Sequence, residues 1–285
     1  MAFFQAYTTG LQTIFTKGKL WLLLYALNFL FAVLLAYPLS SFLGDKLVNT
    51  MAVDVLLERF DFTVFIDFFN EYGDVFGWLL NQSVAAILLY LLLNVFLVGG
   101  ILTVFVRPQR TSVTNFWSGG AHFFWRMLRL TIYFLLFQGV LLGIFLTIVS
   151  SIFSNWPEGF DNEEQIVQRL FIIIPVYLLL STVLFMVQDY AKIRLVNSNK
   201  SLVTLPILRA FRWTFRHFGQ AFLLYLLNLL TFGVLFFIYL QMHFDSAVLA
   251  TFLVGQFFVI ARIGTKLLNL ASASELYTQS QLPKV

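Results

Sequence analysis

The stretch AFLLYLLNLLTFGVLFFIYLQMHFDSAVLATFLVGQFFVIARI, residues 221–263, decides the fold of this chain. It contains two apolar runs, 221–242 and 247–263, which only a tight turn around His243, Phe244 and Asp245 separates. A helix needs about 20 apolar residues to cross the hydrocarbon core of a bilayer. The stretch therefore predicts a hairpin of two membrane-spanning helices.

Four more runs of this kind precede the hairpin. They lie at residues 20–43, 84–106, 128–153 and 170–187. Hydrophobic residues make up 60% of the 285 residues and charged residues only 11%, whereas soluble domains contain about 25% charged residues. This composition excludes soluble enzymes, disordered chains and nucleic-acid-binding domains. We therefore predict an all-α bundle of six transmembrane helices in one integral membrane domain, residues 1–285.

The charged residues are divided unequally between the two sides that six spans create. One side, with both termini, residues 107–129 and 188–220, and Arg262 at the end of the sixth span, holds fifteen basic and two acidic residues. The other side, with residues 44–83, 154–169 and 243–246, holds three basic and twelve acidic residues. Because cytoplasmic loops are enriched in Lys and Arg, this pattern predicts that both termini are cytoplasmic. The acidic loop 44–83 is either a solvated face or a docking surface for a partner.

The chain reads as three helix-hairpin units, residues 1–110, 111–200 and 201–285. Each unit begins with an aromatic-rich segment that predicts an interfacial amphipathic helix, at residues 2–18, 111–127 and 202–218. The sequence LLYALNFL at residue 23 matches LLYLLNLL at residue 223 in six of eight positions. The match indicates a partial duplication, or else a coincidence in a leucine-rich chain.

The third amphipathic segment is the candidate lipid-binding site. Its basic residues recur at three- and four-residue spacing, at Arg209, Arg212 and Arg216, beside an apolar stripe that contains Leu208 and Phe215. A basic stripe beside an apolar one is typical of helices that bind the anionic inner leaflet. The alternative is that these arginines only set the topology.

Asp189 is one of two acids on the basic side. We predict that it pairs with Lys192, with Arg194 or with an arginine of residues 209–216, and so clamps the loop to the bundle. A catalytic carboxylate is the alternative interpretation. Elsewhere the chain has no cysteine, no HExxH and no glycine-rich nucleotide motif, so we expect no metal and no cofactor.

No charged residue lies deep within a predicted span except Arg262, which lies near the cytoplasmic end of the sixth and can snorkel. The spans contain amides and a glycine pair instead. The amides are Asn28, Asn94, Gln138 and Asn228. Such groups usually form hydrogen bonds across helices, and a polar ligand path is the alternative. Gly139 and Gly143 form a GxxxG pattern, which permits close helix contact within the chain or between two copies.

Three short motifs resemble those of uncharacterised bacterial six-span membrane proteins. The motifs are Asp189-Tyr190-Ala191-Lys192, Leu208-Arg209-Ala210-Phe211 and Arg216-His217-Phe218. Some members are similar to the membrane domain attached to glycerophosphodiester phosphodiesterases. The resemblance implies a multi-pass protein of the bacterial cytoplasmic (inner) membrane. It does not imply phosphodiesterase activity, because the sequence contains no phosphodiesterase domain.

These features predict a non-enzymatic membrane protein that acts as a membrane-embedded partner or scaffold and binds lipid or protein. The alternative function is a small transporter or permease subunit with a path lined by the four amides. An enzyme that acts on lipids is a third interpretation, but no carboxylate–histidine arrangement favours it. The expected partners are anionic inner-leaflet lipids, and another membrane protein or a second copy of the chain, but no nucleic acid.

Overall fold

A computed structural model describes residues 2–47, 62–63, 66, 73–106, 113–154, 163–198, 203–242 and 248–281. Within these residues the chain forms eight α-helices and no strand. The helices are α1 (Ala2–Thr16), α2 (Gly18–Leu47), α3 (Gly73–Val106), α4 (Val113–Ser154), α5 (Glu163–Ser198), α6 (Thr204–Arg216), α7 (Phe218–Gln241) and α8 (Val248–Gln281).

Six of these helices, α2, α3, α4, α5, α7 and α8, are long and apolar enough to cross a membrane. Their large apolar side chains, such as Leu30, Val140 and Phe171, are widely exposed. A soluble protein rarely exposes a contiguous apolar patch of more than a few hundred Å². The predicted all-α polytopic bundle is confirmed.

Two compact units make up the chain, Met1–Trp21 together with Val95–Val285, and Leu22–Asn94. In the unit Leu22–Asn94, α2 and α3 meet at Tyr90. The Tyr90 hydroxyl donates to Asn28 Oδ1 at 3.3 Å, and the Tyr90 ring lies 5.6 Å from the Phe31 ring. The larger unit contains α1, α4 to α8 and the adjoining ends of α2 and α3.

The core of the larger unit lies where the basic residues are concentrated, and we name it the basic-end core. It is formed by α1, residues 95–106 of α3, 113–134 of α4, 186–196 of α5, α6, the start of α7 and residues 264–277 of α8. The helices α3, α4, α5 and α8 contain 34 to 42 residues. At 1.5 Å per residue they are about 50–63 Å long, whereas the hydrocarbon core is about 30 Å thick. Part of each helix therefore extends beyond the hydrocarbon.

Two helices continue well past the spans predicted on them. The fourth was expected to end at residue 187 and the sixth at residue 263, but α5 continues to Ser198 and α8 to Gln281. The added part of α5 buries Tyr190, Ile193 and Leu195, and the added part of α8 is buried on almost every face from residue 267 to residue 277. Packing in the basic-end core keeps these polar-containing segments helical.

The predicted amphipathic segments differ in structure. The first and third form separate helices, α1 and α6, which end before turns at Lys17 and His217. The segment 111–127 does not form a separate helix, because α4 runs unbroken from Val113. Most of the predicted loop 44–83 lies outside the described residues, and α3 already begins within that loop at Gly73.

Close helix packing occurs at glycines other than the predicted pair. Gly99 of α3 faces Gly119 and Gly120 of α4, and a Cβ on the adjacent Gly100 would lie 2.7 Å from the backbone oxygen of Phe116. Around Gly139 and Gly143, by contrast, no atom of the described chain lies within 4 Å of an added Cβ. The GxxxG pattern therefore makes no close contact within the described residues, and contact between two copies stays a prediction.

The matching sequences at residues 23 and 223 also share local structure. Asn28 Nδ2 donates to the Leu24 carbonyl at 2.7 Å, and Asn228 Nδ2 donates to the Leu224 carbonyl at 3.0 Å. The helix breaks at Lys17 and His217 have the same spacing of 200 residues. The duplication itself stays a prediction, since these are local features of leucine-rich helices.

Candidate functional site

The helix α6 presents a mixed basic and apolar surface. Pro206 lies in its first turn, where a missing N–H costs least. The three predicted arginines, Arg209, Arg212 and Arg216, are exposed, and so are Leu208 at 66% and Phe215 at 61%. The opposite face, which contains Ile207 and Ala210, is buried. The structure thus brings the arginines and the apolar stripe to one exposed surface, which we name the α6 surface.

Trp213 holds the buried side of α6 against α5 and α8. Its indole Nε1 donates to Ser280 Oγ at 2.9 Å. The indole ring lies 4.3 Å from the Tyr190 ring and 5.3 Å from the Tyr277 ring, measured between centroids. These contacts fix the rotation of α6 about its axis, so Leu208 and Phe215 stay outward.

Asp189 joins α5 to α8. Its Oδ1 accepts from Lys192 Nζ at 3.1 Å, and its Oδ2 accepts from Asn269 Nδ2 at 3.0 Å. Of the partners predicted for Asp189, Lys192 is the one in contact among the described residues, while Arg194 lies beside Tyr277. Because Asp189 lies on α5 and not in a loop, it clamps two helices together and does not clamp a loop to the bundle.

Asn228 continues this polar cluster into α7. Its Nδ2 donates to Ser272 Oγ at 3.2 Å and approaches Asn269 Oδ1 at 3.5 Å. The sequence pointed to Asp189 and Asn228 but not to Asn269, which connects them, or to Ser272, which accepts from Asn228. The signal for them was the apolar pattern of residues 267–277, which predicts that this segment returns to the core.

The remaining predicted amides lie apart from this cluster. Gln138 Nε2 donates to the Ser181 carbonyl at 3.3 Å and so links α4 to α5. Asn28 accepts from Tyr90 within α2 and α3. Asn94 also makes polar interactions. The bonds of Gln138, Asn228 and Asn28 run between neighbouring helices, as expected for amides that hold a bundle together.

Lys17 has a structural role in addition to its place in the topology pattern. Its Nζ donates to the Val104 carbonyl at 2.7 Å, and the ammonium lies 5.0 Å from the centroid of the Phe105 ring. A cation at the last turn of α3 stabilises carbonyls that have no partner within the helix. Burial lowers the pKa of Lys17 below its ordinary value.

No family model, no curated protein and no solved structure matches this chain. The resemblance to bacterial six-span membrane proteins stays a prediction that rests on three short motifs.

Proposed function

We propose that this protein is a non-enzymatic, multi-pass protein of the bacterial inner membrane that binds the anionic lipids of the cytoplasmic leaflet. The observation that carries the proposal is the α6 surface, where three arginines lie beside exposed Leu208 and Phe215. In water such apolar exposure is unfavourable, whereas at an anionic interface the rings and aliphatic groups enter the acyl boundary and the arginines contact phosphates.

A membrane-embedded scaffold that holds lipid is the form of the proposed function that fits the geometry best. The rigid attachment of α6 through Trp213 presents a preformed surface, so binding orders few side chains. Gln138, Asn28 and the Nδ2 of Asn228 form bonds between neighbouring helices, which favours a structural bundle over the alternative of an amide-lined path.

The test measures lipid selectivity around the full-length protein reconstituted in bilayers. Spin-labelled phosphatidylglycerol and phosphatidylcholine report, by electron paramagnetic resonance, the association of each lipid with the protein. Each basic residue near an anionic surface contributes about 1 kcal/mol. The variant R209Q/R212Q/R216Q should therefore lose up to about a hundredfold in its preference for phosphatidylglycerol.

The matched control is R209K/R212K/R216K, which keeps the charges and should keep the preference. If the glutamine variant binds phosphatidylglycerol as well as the unmodified protein does, the α6 surface does not bind anionic lipid and the proposal is wrong.

A further inference from the structure

A groove of about 250 Å³ opens between α7 and α8, and no residue of α6 lines it. Its lining residues are Tyr225, Asn228, Leu229 and Phe232 of α7 and Arg262, Thr265, Lys266 and Asn269 of α8. All of them belong to the larger unit. Ligand pockets usually measure about 300–1,000 Å³, so this groove suits a small polar group better than a whole lipid.

The groove carries a net positive charge. Arg262 and Lys266 line it, and Lys192, Asp189 and Arg262 all lie close enough to act electrostatically on the Lys266 ammonium. These four residues comprise three bases and one acid, and the acid already accepts from Lys192 and Asn269. Arg262 lies near the predicted cytoplasmic end of the sixth span, where its side chain can extend to the level of the lipid phosphates.

A buried acceptor lies in the same wall of the groove. Asn228 is 7% exposed, and its Oδ1 is buried with no hydrogen-bond partner in the described chain. Native proteins pair nearly all buried polar atoms, so an orphan acceptor beside a groove points to a donor that the chain itself does not supply. A hydroxyl of a bound headgroup is such a donor.

The groove is polar on one side and apolar on the other. Asn228 and Asn269 form its polar part, whereas Leu229 is largely exposed and Phe232 continues the apolar wall along α7. We propose that this groove binds the headgroup of one anionic, hydroxyl-bearing phospholipid, with the phosphate between Arg262 and Lys266 and the acyl chains along Leu229 and Phe232. The site shares no residue with the α6 surface and does not depend on it.

Native mass spectrometry of the full-length protein in detergent tests this inference with phosphatidylglycerol as the probe. The unmodified protein should retain one lipid more tightly than all others. The variant R262Q/K266Q should bind that lipid about thirtyfold more weakly, since each basic residue near an anionic group contributes about fivefold. The variant R262K/K266R keeps both charges and should keep the lipid, which separates lost binding from lost folding.

Two further measurements define the site and its ligand. The variant R209Q/R212Q/R216Q should keep the single tight lipid, so failure of the α6 proposal and failure of this one are distinguishable. Glycerol 3-phosphate, which lacks acyl chains, should not displace the lipid at equal concentration. The inference is overturned if R262Q/K266Q retains the lipid as the unmodified protein does, or if the soluble phosphate ester competes equally.

Discussion

The charge of Asp189 holds two helices of the basic-end core together. Its two carboxylate oxygens accept from different helices, Lys192 on its own α5 and Asn269 on α8. Hydrogen bonds to charged groups contribute about 1.5–3 kcal/mol. The substitution Asp189→Asn keeps the shape but replaces one of the two acceptor oxygens by a donor NH2, so either Lys192 or Asn269 then faces a donor, and Lys192 loses its counter-charge. We expect the free energy of unfolding to fall by about 2 kcal/mol, measured by sodium dodecyl sulfate titration in mixed micelles.

Glu275 provides the matched control for this prediction. It accepts from Gln279 at 3.1 Å, one turn further along the same helix, and it makes no bridge to another helix in the described residues. Pairs of this spacing contribute about 0.2–0.5 kcal/mol, so Glu275→Gln should change little. Equal losses in the two variants would show that Asp189 does not clamp α5 to α8.

The role of Asp189 could be predicted only in part from the sequence. An acid among fifteen bases requires a local partner, and Lys192, three residues away on the same helix, could be predicted as that partner. Asn269 could not be predicted, because it is 80 residues distant and lies in a segment that the sequence predicted to be outside the spans. The groove could not be predicted from the sequence for the same reason, because its lining depends on how α7 and α8 pack side by side.

At the scale of the helices, packing between α3 and α4 depends on four glycines. A Cβ on Gly100 would lie 2.7 Å from a backbone oxygen of Phe116, which cannot move without displacing α4. Overpacking of this kind costs about 1–3 kcal/mol. Gly100→Ala should therefore lower the melting temperature in detergent, while Gly139→Ala should leave it unchanged or raise it, since alanine favours helix over glycine.

The reverse order of these two effects would contradict the packing described here. If Gly139→Ala destabilised the protein more than Gly100→Ala, the GxxxG pattern would be the important helix contact, between two copies of the chain. Size-exclusion chromatography of both variants distinguishes that case, because a lost copy–copy contact would reduce the apparent mass.

At the level of helices, the six candidate spans were predictable, but the ends of the helices and the number of amphipathic helices were not. Uniform hydrophobicity identifies the six spans because lipid is their solvent on most faces. The segments 188–198 and 264–281 contain polar residues and pack against other helices. Their sequence pattern is therefore that of an amphipathic helix, which predicts a helix less clearly than a uniformly apolar run does. The sequence therefore predicted the lipid-facing half of the molecule better than the basic-end core.

At the scale of the whole molecule, the charge distribution and the helix packing coincide. The basic residues of the predicted cytoplasmic side that the structure describes belong to the helix ends that form the basic-end core, the α6 surface and the groove. Both proposed lipid sites require this end to face the cytoplasmic leaflet, where anionic lipids attract basic residues. The orientation is thus the claim on which the proposed function depends.

Site-directed labelling measures the orientation directly, since the chain contains no cysteine. Single cysteines replace two exposed residues, Asn81 at the start of one candidate span and Ser198 at the end of α5. A membrane-impermeant maleimide added to intact cells should label Asn81→Cys, and it should label Ser198→Cys only after the membrane is permeabilised. Labelling of Ser198→Cys in intact cells, with Asn81→Cys protected, would show the opposite orientation and contradict both proposed lipid sites.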